Sequence, residues 1–418
     1  EAALEVGSGD DWRRLMDRAA RMWRALEGPF LSRPLDGPTD LFRQAVRVGD
    51  VRTIAPLATL RGLARRHLRD PRLRLVLERY ATYSGSDPRR APAALAVVAY
   101  VEQAFGAWYV RGGLHRFGEA LRDRAAERGA AVHTGTDVSR VLVEEGRASG
   151  VELAEGHRLD ADVVVANTDA AHLYTDLLDT PPATAARHRL GRATPSLSGV
   201  VLLLGVRGRT EGLAHHNVWF PPDYTAEFEA IFGPAPRPVP DPTIYVSVPR
   251  DPTVAPPDHE AWFLLVNAPC EGPVAWDEPG LADRYADHLL GVLASRGTDV
   301  RGRIVFRQIL TPADLQRRTR AAGGAIYGTA SNGPRAAFLR PANRSPVPGL
   351  FLVGGSSHPG GGLPLVVLSA RIVADLIGPA LRSNATRRPE RCTSAAPPKF
   401  CPHRGRGCAR VARREEPS

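Results

Sequence analysis

The segment from Gly349 to Gly378, GLFLVGGSSHPGGGLPLVVLSARIVADLIG, constrains the fold more than any other part of the chain. Leu350–Val353 reads as a buried strand, and the residues after it form a loop holding five glycines. Pro364 stands where a first-turn proline would open a helix, since the N–H it lacks has no helical partner there. Leu365, Leu368, Ile372 and Leu376 then recur at three- and four-residue spacing, one face of a helix that Gly378-Pro379 stops. A strand, a glycine loop and a helix start together make an anion site, because free backbone N–H groups and the positive helix end face the loop. Glycine leaves no Cβ between a ligand and the backbone. From these residues alone two readings stay open: a ligand cradle, or a tight strand-to-helix turn of an α/β domain.

The order Gly354-Gly355-Ser356-Ser357-His358-Pro359-Gly360-Gly361-Gly362-Leu363-Pro364, with Ser369-Ala370 downstream, resembles the C-terminal flavin-binding signature of the phytoene desaturase family of amine-oxidase-like flavoproteins. Further blocks are similar to that family in matching order, over about residues 70 to 381. They are Asp70-Pro71-Arg72-Leu73-Arg74 leading into Arg79–Pro88, then Phe105–Gly118 with its Trp-Tyr-x-x-Gly-Gly core, then Pro195–Val206. The resemblance implies an α/β fold, in which a Rossmann-like FAD-binding domain of the amine-oxidase type interleaves with an α+β substrate domain. On that reading residues 1–108 are the helical, membrane-facing part of the substrate domain and 109–180 the middle of the FAD domain. Residues 190–345 supply the substrate-domain sheet and helices, 346–381 the closing FAD motif, and 382–418 a basic tail.

The family also begins with a strand and a Gly-x-Gly-x-x-Gly turn that grips the FAD pyrophosphate. Gly7-Ser8-Gly9 lacks the third glycine and the preceding strand, so the first βαβ unit is missing and a truncated chain is expected.

The implied cofactor is FAD, held by Gly354, Gly355, Gly360, Gly361, Gly362, Leu363 and Pro364, with Val138 reaching the adenine through its backbone. The implied reaction inserts double bonds into a lipophilic isoprenoid polyene, by hydride transfer to the flavin and proton loss to a base or water. Quinone or oxygen then reoxidises the flavin. Asp70 and Arg74 are candidate polar groups at the reacting centre, set against helix capping and a surface ion pair. His358 is a candidate for proton transfer, set against a brace for the glycine loop. Trp108, Tyr109, Trp219 and Phe220 are candidate walls of an apolar channel, set against ordinary aromatic packing. Sibling chemistries on the same scaffold are a carotenoid isomerase, a 3,4-desaturase or a terminal oxygenase. A fragment unable to bind FAD stably is the other alternative.

Lys399 is the only lysine of the 418-residue chain, and the net charge of +10 is uneven. Residues 382–418 hold ten Lys/Arg against three Glu, so the rest is near neutral and gives no sign of a nucleic-acid partner. Cys392, Cys401 and Cys408 in that tail fit no paired zinc spacing, and the Pro- and Arg-rich composition reads as low complexity. His215-His216 on a strand would point to opposite faces, which argues against a metal. No apolar run is long enough to span a bilayer. A cytoplasmic protein attached peripherally to the inner face of the cell membrane is therefore expected. Leu57, Leu60, Ala64 and Leu68, beside four arginines, form a stripe that faces either the core or lipid.

Overall fold

The structure is a computed structural model that describes residues 3–37, 39–40, 51–333, 336 and 340–379. Residues 1–377 make one compact unit; of the second unit, residues 378–418, the part from residue 380 on, with its cysteines, lies outside the described residues. Asp40 could open a helix by its sequence, but residues 41–50 after it lie outside the described part.

Four helices build the N-terminal layer: α1 (Ser8–Leu26), α2 (Leu60–His67), α3 (Pro71–Arg79) and α4 (Ala96–Phe105). Their apolar faces meet in a core of Leu15, Met22, Leu60, Leu68, Leu77 and Ala99. Leu60, Ala64 and Leu68 are fully buried there, so the stripe on α2 faces protein and not lipid; only Leu57, before the helix, is exposed at 88%. Burial also ties the helices by charge: Arg61 of α2 reaches Glu78 of α3 at 2.7 Å with both side chains largely covered. Asp11 does not cap α1, which starts from Gly7; it receives Arg69 at 2.8 Å instead.

After α5 (His115–Glu127), which buries none of its residues, the chain forms an antiparallel meander. Its strands are β1 (Val138–Glu144), β2 (Arg147–Leu153) and β3 (Arg158–Asp160). The segment Leu159–Asn167, LDADVVVAN, could form one strand by its three consecutive valines, but it splits. Leu159 pairs with Val151 of β2, whereas β4 (Val164–Ala166) crosses to a parallel partner near the C-terminus. Two different sheets claim the two ends, and Ala161–Val163 carries the chain between them. Residues 132–134 are in no ladder among the described residues.

α6 (Pro181–Gly191) leads to a five-stranded antiparallel sheet. Its strands are β5 (Ser198–Arg207), β6 (His216–Trp219), β7 (Ile244–Ser247), β8 (His259–Ala268) and β9 (Ile304–Leu310), in the order β6-β7-β8-β5-β9. Alternate residues Val200, Leu202, Leu204 and Val206 point into one core with Leu289, Leu290 and Leu293 of α8 (Leu281–Ser295). α7 (Tyr224–Phe232) is fastened to the sheet by Glu227, which is fully buried. Its carboxylate accepts from the Thr243 N–H and hydroxyl and from Asn267 Nδ2. α9 (Pro312–Thr319) starts with a capping box between Thr311 and Asp314.

Because Leu202 is 0% exposed on β5, an interior strand of the sheet, Leu202→Ala should cost about 2–5 kcal/mol, read from the denaturant midpoint.

Candidate functional site

β10 (Leu350–Leu352) lies parallel to β4, with Leu350 opposite Val164 and Leu352 opposite Ala166, so both carboxyl ends open at one edge. Ligands of parallel α/β sheets bind beyond such ends. The chain leaves β10 through Gly354, at φ +106°, and lies so close to the end of β4 that an added Cβ would sit 2.4 Å from Asn167 Oδ1. The loop then returns through Gly360–Gly362 into α10 (Leu363–Ile377). Gly361 lies flat on Tyr327, where a Cβ would be 2.2 Å from the ring.

Two buried side chains hold this loop. Asn343 is fully buried, and its Nδ2 faces the carbonyls of Leu352 and His358 and the Ser369 hydroxyl at 2.9–3.1 Å. Ser369 in turn donates to the His358 carbonyl and accepts from the Gly354 N–H, which explains the serine downstream of the glycines. Arg340 is 8% exposed and pairs with no carboxylate among the described residues. It donates to the Tyr327, Thr329 and Gly355 carbonyls at 2.8–3.2 Å. Burial pulls its pKa down to about 10.

His358 is hydrogen-bonded on both its ring and its backbone. It is 5% exposed, its Nε2–H donates to the Arg33 carbonyl at 3.0 Å, and its own N–H donates to the Pro341 carbonyl. Burial lowers its pKa to about 4, so the ring is neutral near pH 7 and unsuited to carry a proton there. The peptide to Pro359 is cis.

On its outer side the cradle is open. Gly362, Leu363 and Pro364 are exposed, and a Cβ on Gly362 would meet nothing within 4 Å. A polar ring edge laid there meets the free N–H groups and positive end of α10 without obstruction, which fits a flavin. Gly355 lines a 240 Å³ cleft beside the loop with Asn167, Asp169, Gly328 and Ser356. Burial raises the Asp169 pKa. Val138 is the first residue of β1 and 38% exposed, so its backbone is accessible at the edge of the meander. A larger cavity of 670 Å³ between α6 and residues 341–346 includes no residue of the glycine loop.

Other candidates fall elsewhere. Asp70 is fully buried as the N-cap of α3, accepting from the Arg72 and Glu5 N–H groups, and the Arg72 guanidinium holds its carboxyl well below the usual range. Arg74 donates to the Leu68 carbonyl at 2.7 Å. Both therefore serve the start of α3, and the partner of Asp70 is Arg72 rather than Arg74.

The four aromatics do not form one wall. Trp108 is 89% exposed, with its Nε1–H on the Phe105 carbonyl. Trp219 packs against the sheet core and Phe220 against Tyr224. Tyr109 has its ring 4.9 Å from that of His215 and its hydroxyl on Asp251. Asp251, missed in the sequence, also accepts from the Gly112 N–H at 2.7 Å and so pins the Arg111-Gly112-Gly113 turn. The rings of His215 and His216 do not diverge but lie 4.4 Å apart, because His215 precedes β6 and is free of its alternation.

Gly361→Ala should push Tyr327 off the loop and weaken FAD retention at least tenfold, measured by equilibrium dialysis, while the far-UV dichroism stays unchanged. A second expectation concerns acid. The folded His358 titrates near 4 and the free side chain near 6.5, so the unfolded chain takes up the proton first as pH falls. Stability is thus lost between pH 6.5 and 4, by roughly 3 kcal/mol at about 1.4 kcal/mol per unit. His358→Gln should lack that component in denaturant titrations at pH 7 and 4.5.

The sequence profile described as "Flavin containing amine oxidoreductase" matches residues 11–378. Hydroxyneurosporene desaturase of Rubrivivax gelatinosus is 36% identical over 379 residues, covering 89% of this chain and 71% of that protein. The 4,4'-diapolycopene oxygenase of Methylomonas sp. is 33% identical over 384 residues, covering 90% and 76%. Among solved structures, putrescine oxidase bound to putrescine superposes with a TM-score of 0.53 at 16% identity, over 87% of this chain and 75% of that one. An oxidoreductase from Methanosarcina mazei gives 0.52 at 18%, over 81% and 72%. The glycine cradle, its parallel strand pair and these similarities agree: the chain belongs to the flavin-containing amine oxidoreductase family and is an FAD-dependent oxidoreductase of the carotenoid desaturase type.

Proposed function

We propose that this protein dehydrogenates a long acyclic isoprenoid polyene. The observation that carries the reading is the position of Tyr327, packed on Gly361, which sets an aromatic wall directly against the flavin cradle. Two hydrogens leave adjacent saturated carbons of the polyene, one as hydride and one as a proton, and a C=C bond forms between them. FAD, when bound, supplies the two-electron oxidising chemistry. Conjugation stabilises the electron-poor carbon, so no strong acid is needed, and the proton passes to water or to a nearby base. The chain's own part is to grip the cofactor edge at α10, hold the loop rigid through Arg340 and Asn343, and lay an apolar chain along tyrosines. Quinone or oxygen is the final acceptor in this reading.

The substrate is taken from a membrane surface on the inner face of the cell membrane. No helix among the described residues is long and apolar enough to cross a membrane. The stretch Phe105–Leu121 supports surface attachment instead, since Phe105, Trp108, Leu114 and Leu121 are 54–89% exposed among arginines. A terminal oxygenase is the second reading, favoured by the similarity to 4,4'-diapolycopene oxygenase.

The test is to load the purified chain with FAD, remove unbound dye, and add phytoene or a later acyclic carotene in vesicles under nitrogen. A yellow protein whose visible flavin bands bleach while the carotene spectrum moves to longer wavelength is the expected result. A chain that retains no flavin would sink the reading. Incorporation of labelled oxygen from O₂ into product would transfer it to the oxygenase.

A further inference from the structure

The 670 Å³ cavity between α6 and residues 341–346 has no part in the scheme above, because none of its lining belongs to the glycine loop. Its size is that of a site for one small molecule. Its inner wall is held from outside. The Thr329 carbonyl accepts from Arg340, the Pro341 carbonyl accepts from the His358 N–H, and the Ser345 N–H donates to the Leu350 carbonyl. The hollow is therefore a fixed feature of the fold, and a ligand entering it does not have to order that wall.

The lining has two chemistries. Pro182, Ala186 and Leu190, one stripe of α6, join Ala193 and Ala342 as its apolar part. Its charged part is Arg189, Arg192 and Arg344 against a single carboxylate, Asp36, which lies 3.7 Å from Arg344. Arg189 and Arg192 make no ion pair among the described residues, whereas Arg187 beside them is anchored on the Tyr174 and Leu178 carbonyls. Arg189 is within electrostatic reach of the inner wall. Burial raises the pKa of Tyr174, a lining residue 3% exposed, while a Ser345 hydrogen bond and the Arg189 charge pull it down. An apolar body gains by leaving water against the α6 stripe. An anionic head gains from two guanidinium groups that lack a carboxylate, and a cation is repelled by them.

We propose that this cavity binds an anionic amphiphile, a carboxylate or phosphate head on an alkyl chain. Arg189 and Arg192 take the head, and the apolar stripe of α6 takes the chain. The site is separate from the flavin cradle, so it stands or falls independently of the polyene reading.

The test measures binding by calorimetry. The full chain is titrated with decanoate, decyl phosphate and decanol, which share one alkyl chain, and with inorganic phosphate, which has none. Both anionic amphiphiles should bind at least tenfold more tightly than the alcohol, as expected for hydrogen bonds between charged groups. The double variant Arg189→Gln, Arg192→Gln should lose that difference and keep the Kd for decanol, which also checks the fold. Ala185→Trp fills the cavity from an exposed position of α6. It should weaken binding of all three alkyl ligands at least tenfold while the far-UV dichroism stays unchanged. Tighter binding of decanoate than of decyl phosphate marks a free fatty acid as the occupant, and the reverse order marks a phospholipid head. Equal binding of decanol and the two anions by the wild type overturns the inference. So does a preference that survives in the double variant, indifference to Ala185→Trp, or inorganic phosphate binding as tightly as decyl phosphate.

Discussion

The structure of the site depends on a buried cation with no anion among the described residues. Arg340 lies inside the protein at 8% exposure, and its donors are directed at the carbonyls of Tyr327, Thr329 and Gly355 and toward the Ser331 hydroxyl. A buried charge is tolerated only when its hydrogen-bonding capacity is met, so these carbonyls are held where the guanidinium needs them. One of them belongs to the glycine loop and two to the segment that carries Tyr327. The aromatic wall and the cofactor cradle are therefore fixed to each other by a single side chain.

Asn343 does the same for the other side of the loop. By facing Leu352, His358 and Ser369 together, it ties the end of β10, the middle of the loop and the first half of α10 into one unit. The loop can then be rich in glycine without being loose: glycine supplies the close approaches, and buried polar groups from outside supply the rigidity. His358 extends the network to the helical layer through Arg33. A neutral histidine is the form that such a buried position favours, which is why bracing and proton transfer compete at this residue.

The elements that could be read from the sequence are those whose pattern is local. α7 spans Tyr224–Phe232 as its composition suggests, α10 opens with Pro364 in its first turn, and β5 follows its long apolar run. The glycine cradle was legible because its geometry is written into consecutive residues. The break between β3 and β4 was not, since only the choice of partner strand divides Leu159–Asn167. Asp70 and Arg74 attracted a functional reading because a charged pair four apart on a helix has many uses. Their actual partners, Arg72 and the Leu68 carbonyl, are set by how α3 meets the chain before it.

The sequence by itself determined the strand, glycine loop and helix that cradle the cofactor, the family this order of blocks belongs to, and the reaction type that follows. Tertiary structure alone decided that Trp219 packs on the sheet core and Phe220 on Tyr224, that Arg340 clamps the loop, and that Arg79 stands among tyrosines with no carboxylate partner among the described residues. The physical reason is range. Backbone conformation and helix periodicity depend on neighbours a few residues away, whereas the partner of a charge or an aromatic ring is chosen by segments a hundred or more residues apart.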